Sequence, residues 1–333
     1  MADADRGAEA DMTLRTKLTE LLGIRHPVLL APMGNAAGGA LAAAVSDAGG
    51  FGLIGGSLAD DPAWLAREFV AAGNQRVGCG FITWALERHP EVLDLALGHS
   101  PPAVMLSFGD AAPFIPRIKA RDALVICQVH SLGQAHVVLA EGADIIVAQG
   151  TEAGGHGGRR ATLPLIPAVA DMIAASGLSA VLVAAGGIAD GRGLAAALML
   201  GADGVLMGSR FYVSEESLAP EIAKTRIVEA GGDDTLRTSV FDLARAWDFP
   251  AGINGRVLRN QFTDSWHGRE AKLIAAKDRE FPRYFAAATA GDYDIAHIHT
   301  GEAIDLIRAI EPAAAIVERV VKEAGTALAR RFV

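Results

Sequence analysis

The 333-residue chain has only two cysteines, Cys79 and Cys127, and they form no CxxC pair. Both lie in apolar runs, so they read as reduced core residues, with neither a disulfide framework nor a thiolate metal centre to expect. Positive charge is scarce: 30 Lys and Arg stand against 39 Asp and Glu, a formal charge of −9. Such a chain lacks the basic field that drives nucleic-acid binding, and no long Lys/Arg run supplies one locally. Long apolar runs are missing too. The longest, such as 180–189, fall well short of the roughly 18–20 residues that span a bilayer, so no membrane partner is expected. Residues 1–12 are acidic with no apolar core. They read as neither a secretory signal nor a transit peptide, but as a disordered start to a cytoplasmic protein. There is no P-loop, GxSxG elbow, HExxH pair or EF-hand loop. Pro32-Met33-Gly34-Asn35 is not GxGxxG, so a nicotinamide cofactor would have to bind without a Rossmann domain.

What is abundant is glycine, at 38 residues. Without a collagen period, that surplus suggests tight turns and close backbone approaches, as around a phosphate or cofactor. A biased genome would give the same count, so position has to decide.

Short, nearly continuous apolar runs fall at 28–31, 51–54, 76–81, 103–107, 124–129, 144–148, 180–185 and 203–207. They read as strands buried on both faces of a parallel sheet. Alanine- and leucine-rich helical segments alternate with them, clearest at 38–47, 62–72, 132–141 and 193–200. Glu141-Gly142-Ala143-Asp144 and Leu200-Gly201-Ala202-Asp203 each end a helix on glycine before the next strand. Eight such units predict an α/β protein, a (β/α)8 TIM barrel over 13–214. The open doubly wound sheet is the competitor; even spacing and the missing fingerprint disfavour it. Residues 215–300 show no clear parallel strand and predict a mainly helical, substrate-side insertion at the barrel mouth, long enough to supply a homodimer contact. Residues 301–333 predict a C-terminal helix packing back on the barrel, with Leu306, Ile310, Ile316, Val317, Val320 and Val321 on one face.

In a barrel the chemistry belongs after the strands. After the sixth comes Gln149-Gly150-Thr151-Glu152-Ala153-Gly154-Gly155-His156-Gly157-Gly158, with five glycines in ten residues. That composition argues against a regular helix or packed strand. Gly154 and Gly155 let the backbone pass close to a flat ligand and direct His156 into the mouth; the plain alternative is a mobile surface loop. Gly186-Gly187 after the seventh strand and Gly208-Ser209-Arg210 after the eighth stand where barrels commonly hold phosphate. Ser209 offers a hydroxyl; Arg210 offers charge, or braces the loop. Gln128 can donate to a ring carbonyl or nitrogen, whereas His130 reads as structural. His297 and His299 have no carboxylate in a ligand pattern, so no metal is expected. Arg159-Arg160 reads as a solvated loop end.

The runs "AQGTEAGGHGG" (148–158) and "AAGGIADGRGLAAALMLGADGVLMGSRF" (184–211), with "HPVLLAPM" (26–33) and "AAAVSDAGGFGLIGG" (42–56), resemble the nitronate monooxygenase family, formerly 2-nitropropane dioxygenases, which are FMN-dependent barrels. The likeness is close over 14–215 and continues through "GRVLRNQF" (255–262). It implies FMN as cofactor and His156 as the catalytic residue. It also implies that Gly186, Gly187, Gly208 and Ser209 hold the phosphate, with Ala31, Pro32, Met33 and Gln128 along the flavin. Many members have Gln-Gly-Gly-Met after strand 1, where this chain has Leu30-Ala31-Pro32-Met33, and an asparagine ending strand 3, where it has Gly80-Phe81-Ile82. The implied reaction is oxidation of alkyl nitronates, with O2 as co-substrate, to a carbonyl compound and nitrite. FMN-dependent enoyl and quinone reductases look similar, so an NAD(P)H-dependent reductase is the alternative. A flavin-binding barrel without turnover is a third.

Overall fold

The computed structural model describes residues 14–57 and 61–330; the expected disordered start lies outside the described residues. Its strands are β1 (Val28–Leu30), β2 (Gly52–Ser57), β3 (Val77–Ile82), β4 (Ala103–Ser107), β5 (Leu124–Val129), β6 (Ile145–Gln149), β7 (Gly155–Gly157), β8 (Val181–Ala185), β9 (Gly204–Met207), β10 (Thr235–Thr238) and β11 (Asn254–Leu258). Eight form one parallel sheet in the order β1-β9-β8-β6-β5-β4-β3-β2. A bridge between Leu29 and Phe51 joins its ends, with Leu30 N–H donating to Phe51 O at 3.0 Å. The architecture is a (β/α)8 TIM barrel.

The apolar strands are continuous because both faces are covered. Leu29, Leu53, Met105, Ile126, Val147, Val183 and Leu206 point inward and pack on one another. Their neighbours Val28, Leu30, Ile54, Val104, Val125 and Ile146 point outward, under the helices. The period-2 alternation of a strand makes that division. Helix Lys17–Leu22, capped by Thr16, sends Leu18 and Leu22 into the inner cluster. Leu18 stands where a Cβ on Gly204, the first residue of β9, would lie 2.3 Å from its Cδ2. The helix thus stoppers the barrel at the strand N-termini and leaves the opposite end for ligands. Gly142 and Gly201 follow their helices at φ +94° and +97°, where a side chain would be strained.

Beyond β9 the chain is not purely helical. Helices Glu221–Glu229, Val240–Arg245, Gln261–Trp266, Glu270–Ala275 and Lys277–Ala290 surround the antiparallel pair β10–β11. β11 also pairs with β7, so the glycine-rich run after β6 does contain a strand. Three residues on a sheet edge need only backbone to pair, and glycine supplies that. Helix Ala313–Leu328 packs on helices Gly191–Met199 and Gly39–Asp47, burying Ile316, Val317, Val320 and Val321. Leu306 and Ile310 precede it. They lie outside the helix because Pro312 starts it, and Leu306 is 39% exposed. Among the described residues, no helix is long and apolar enough to cross a membrane.

Candidate active site

The strand C-termini surround a cavity of about 240 Å³, room for about eight waters rather than an ion. The strand ends supply the lining. Ala31, Pro32 and Met33 come from β1, Gly80 to Ile82 from β3, Phe108 from β4, and Gln128 from β5. Gly154, Gly155 and His156 follow β6, Gly186 and Gly187 follow β8, and Gly208 and Ser209 follow β9. The structure therefore gathers every site residue selected from the sequence around one space.

One wall suits an anion. Gly186 and Gly187 are both left-handed, at φ +98° and +72°. A Cβ on Gly208 would enter the cavity between Met33 Sδ and Ala31 Cβ, at 3.6 and 3.7 Å. The N–H groups of Gly187 and Gly208 make no hydrogen bond among the described residues. Ser209 Oγ accepts from Gly301 N–H at 3.0 Å, leaving its own proton to donate. These groups make a cradle that fits a phosphate. The N-terminus of helix Gly191–Met199 does not join it. Glu323 takes Gly191 N–H at 2.9 Å, and Asp190 takes Gly193 N–H at 3.1 Å. Arg210 is a brace rather than a ligand. It is buried, donates to Val213 O and Ala309 O, and faces Glu311.

The glycine-rich run is held, not mobile. Arg237 donates to the carbonyls of Thr151, Ala153 and Gly157, and Arg256 donates to Thr151 O and pairs with Glu302. A Cβ on Gly154 would lie 2.5 Å from the Thr300 carbonyl carbon, so packing alone demands glycine there. Glu152 is structural. It accepts Thr162 N–H at 2.9 Å and Thr162 Oγ–H at 2.8 Å, capping helix Thr162–Ser176.

This scaffold presents His156 from β7, opposite Gly255 of β11. Its Nε2 lies 2.8 Å from Asp242 Oδ1, which also accepts from Arg245 Nη2 at 3.0 Å. Arg245 Nη1 donates in turn to His297 Nε2 at 3.2 Å, so His297 Nδ1–H donates to Tyr284 Oη at 2.7 Å. Burial pushes the His156 pKa below its ordinary value, and Asp242 opposes the shift only in part. The ring is therefore neutral near pH 7. With Nε2–H committed to Asp242, Nδ1 carries the lone pair. Phe249 stacks on the ring at a centroid distance of 3.6 Å, and Phe108 meets it edge-on at 6.1 Å. Across the cavity, Gln128 and His130 both donate to Gln149 Oε1, at 3.1 and 2.9 Å. Burial lowers the His130 pKa to about 4, leaving it a neutral support for Gln128.

Asp242, Arg245, Arg237, Arg256 and Phe249 had no signal in the sequence. Asp242 is 86 residues from His156, and only the β7–β11 pairing brings them together. The i, i+3 spacing of Asp242 and Arg245 in one short helix pairs them with each other and does not point to His156.

The family model for nitronate monooxygenase matches residues 83–323. The (3aS,4S,5R,7aS)-5-hydroxy-7a-methyl-1-oxo-octahydro-1H-indene-4-carboxyl-CoA dehydrogenase of Mycobacterium tuberculosis is 36% identical, over 82% of this chain and 74% of its own. The nitronate monooxygenase of Neurospora crassa is 33% identical over 90% of this chain and 89% of its own. Among solved structures, FabK from Thermotoga maritima superposes with a TM-score of 0.80 at 32% identity, over 94% of this chain and 97% of that one.

Proposed function

The chain belongs to the nitronate monooxygenase family, and on that premise we propose that it uses FMN and O2 to oxidise alkyl nitronates to a carbonyl compound and nitrite. One observation carries the reading. His156 is a buried imidazole, anchored through one nitrogen, on the wall of a glycine-cradled cavity.

Gly186, Gly187, Gly208 and Ser209 would hold the FMN phosphate, with Ala31, Pro32 and Met33 along the ring and Gln128 at its polar edge. Bound FMN supplies the electron chemistry. The chain's own groups position, desolvate and move one proton. With a neutral nitroalkane, His156 Nδ1 takes the proton from the carbon bearing the nitro group, and Asp242 offsets the charge gained by the ring. With a nitronate, the proton has already gone and no base is needed. Phe81, Ile82 and Phe108 present an apolar wall that excludes water.

The test is to mix flavin-loaded protein anaerobically with propyl-2-nitronate, and separately with NADH and NADPH, while following the flavin absorbance. Bleaching by the nitronate alone, with nitrite released once O2 is admitted, supports the reading. Bleaching by a nicotinamide alone points instead to an NAD(P)H-dependent FMN reductase of enoyl thioester or quinone type. Under that second reading, similarity to a relative named as a carboxyl-CoA dehydrogenase makes a CoA thioester a better guest than a quinone. No bleaching by any donor points to a flavin-binding barrel without turnover, or to a substrate outside these classes.

A further inference from the structure

Three imidazoles cluster beside the cavity, and one besides His156 has unspent hydrogen-bonding capacity. His299 lies with its ring centroid 5.4 Å from His156, inclined at 55°, and 4.6 Å from His297. Both nitrogens of His297 are taken, by Arg245 and Tyr284. Nε2 of His156 is taken by Asp242. His299 lines the cavity, yet its Nδ1 is enclosed and meets no partner at hydrogen-bonding distance. The Arg256 backbone is near enough only to moderate the effect of burial on the ring. With Nδ1 enclosed, Nε2 is the nitrogen left to serve the cavity.

The placement is fixed. The His299 backbone bridges Val257 on β11, directly after the stretch that β7 covers. Gly255 lets the two rings approach: a Cβ there would lie 3.1 Å from His299 Cε1 and 3.8 Å from His156 Nε2. Burial, with the two neighbouring imidazoles and Arg245, holds His299 well below the usual histidine pKa, so it is neutral in the working range. A neutral donor is what this position needs. A cation beside His156 would suppress its basicity, whereas a neutral N–H steadies an anionic guest and leaves the base intact.

Resting on the nitronate reading, we propose that His299 is a second substrate-contacting residue, donating its ring N–H to an oxygen of the bound nitronate. The experiment is an anaerobic stopped-flow titration of flavin bleaching with propyl-2-nitronate. It yields the nitronate Kd and the limiting rate separately. His299→Phe keeps a flat ring without an N–H, and His299→Leu gives a second removal of the donor. Both should raise Kd about 10-fold or more, the loss of one hydrogen bond to a charged group, with the limiting rate within about threefold. His299→Gln restores a donor and should bring Kd back to within about threefold of the original protein. Unchanged Kd in the Phe and Leu variants overturns the proposal. So does loss of flavin from both, which would assign the ring to the cofactor's support. If the unaltered protein is not bleached by the nitronate, the parent reading fails and this one falls with it. A bleached original with indifferent variants defeats this proposal alone.

Discussion

Replacing Asp242 with asparagine isolates what its carboxylate does for His156. The amide keeps shape and an oxygen that can accept Nε2–H, while Arg245 loses its charged partner. The carboxylate lies 2.8 Å from Nε2 and is the main influence raising the pKa of a ring that burial otherwise lowers. Without it, and with Arg245 3.0 Å from the same position, the imidazolium is harder to form. A hydrogen bond to a charged group contributes about 1.5–3 kcal/mol. At about 1.4 kcal/mol per decade, proton abstraction should slow about 10- to 100-fold. The discriminating assay measures nitrite release from 2-nitropropane, which must lose a proton, beside propyl-2-nitronate, which has already lost it. The neutral substrate should show the full loss and the nitronate less than about threefold. The sign of the pH effect follows from the same charge. Activity with the neutral substrate falls as pH drops through the pKa of His156. Asp242→Asn lowers that pKa further, so the acidic limb of kcat/KM should move to lower pH. Equal losses on the two substrates, or a limb displaced upward, would refute the reasoning. Flavin absorbance and Tm on the same samples separate this from unfolding.

Replacing His156 with alanine should spare flavin binding but cut turnover of the neutral substrate by about 10²–10⁴; full turnover would remove it from the base role. Gly208→Val should fill the phosphate side of the cavity, so flavin retained through gel filtration falls steeply while the far-UV spectrum is unchanged. Arg237→Met strips donors from the carbonyls of Thr151, Ala153 and Gly157. It should lower stability by about 3 kcal/mol in urea titration; no change would show that water replaces the clamp. His130 has a folded pKa lowered to about 4 from 6.5. The unfolded chain therefore binds the extra proton between those values, and stability present above pH 6.5 declines as pH falls toward 4, by up to about 3 kcal/mol. Denaturant melts across that window should show a shallower slope in His130→Gln.

The barrel was legible because its strands are covered on both faces, which writes each one as an unbroken apolar run. Val181–Ala185 is the plainest example, with every residue buried. Helix ends at Gly142 and Gly201 were legible because a left-handed residue leaves its mark as glycine. The glycines around the cavity were found for a related reason, since close approach removes side chains. β10 and β11 were hidden because each carries a mid-strand arginine, Arg237 and Arg256, whose work is to hold the loop after β6. Glu152, in the glycine-rich run, serves as a helix cap, a role hidden from the sequence because its partner, Thr162, is supplied by tertiary folding. Asp242 was invisible for the same reason: a carboxylate in a short helix says nothing about a histidine on another strand until a sheet joins them.

The pairing of β7 with β11 has a consequence for how this protein can change. The proposed base, His156, is carried by the barrel's own loop, yet its carboxylate, its stacking phenylalanine and the opposite strand all come from the segment beyond β9. Grafting that segment from a relative to alter substrate preference would also replace the partners that orient the base. A chimera joined at 215 and 300 must carry its own carboxylate into register with residue 156, or it will recognise a new guest and fail to act on it. Variation in what enters the cavity and variation in how the proton is handled are inherited together.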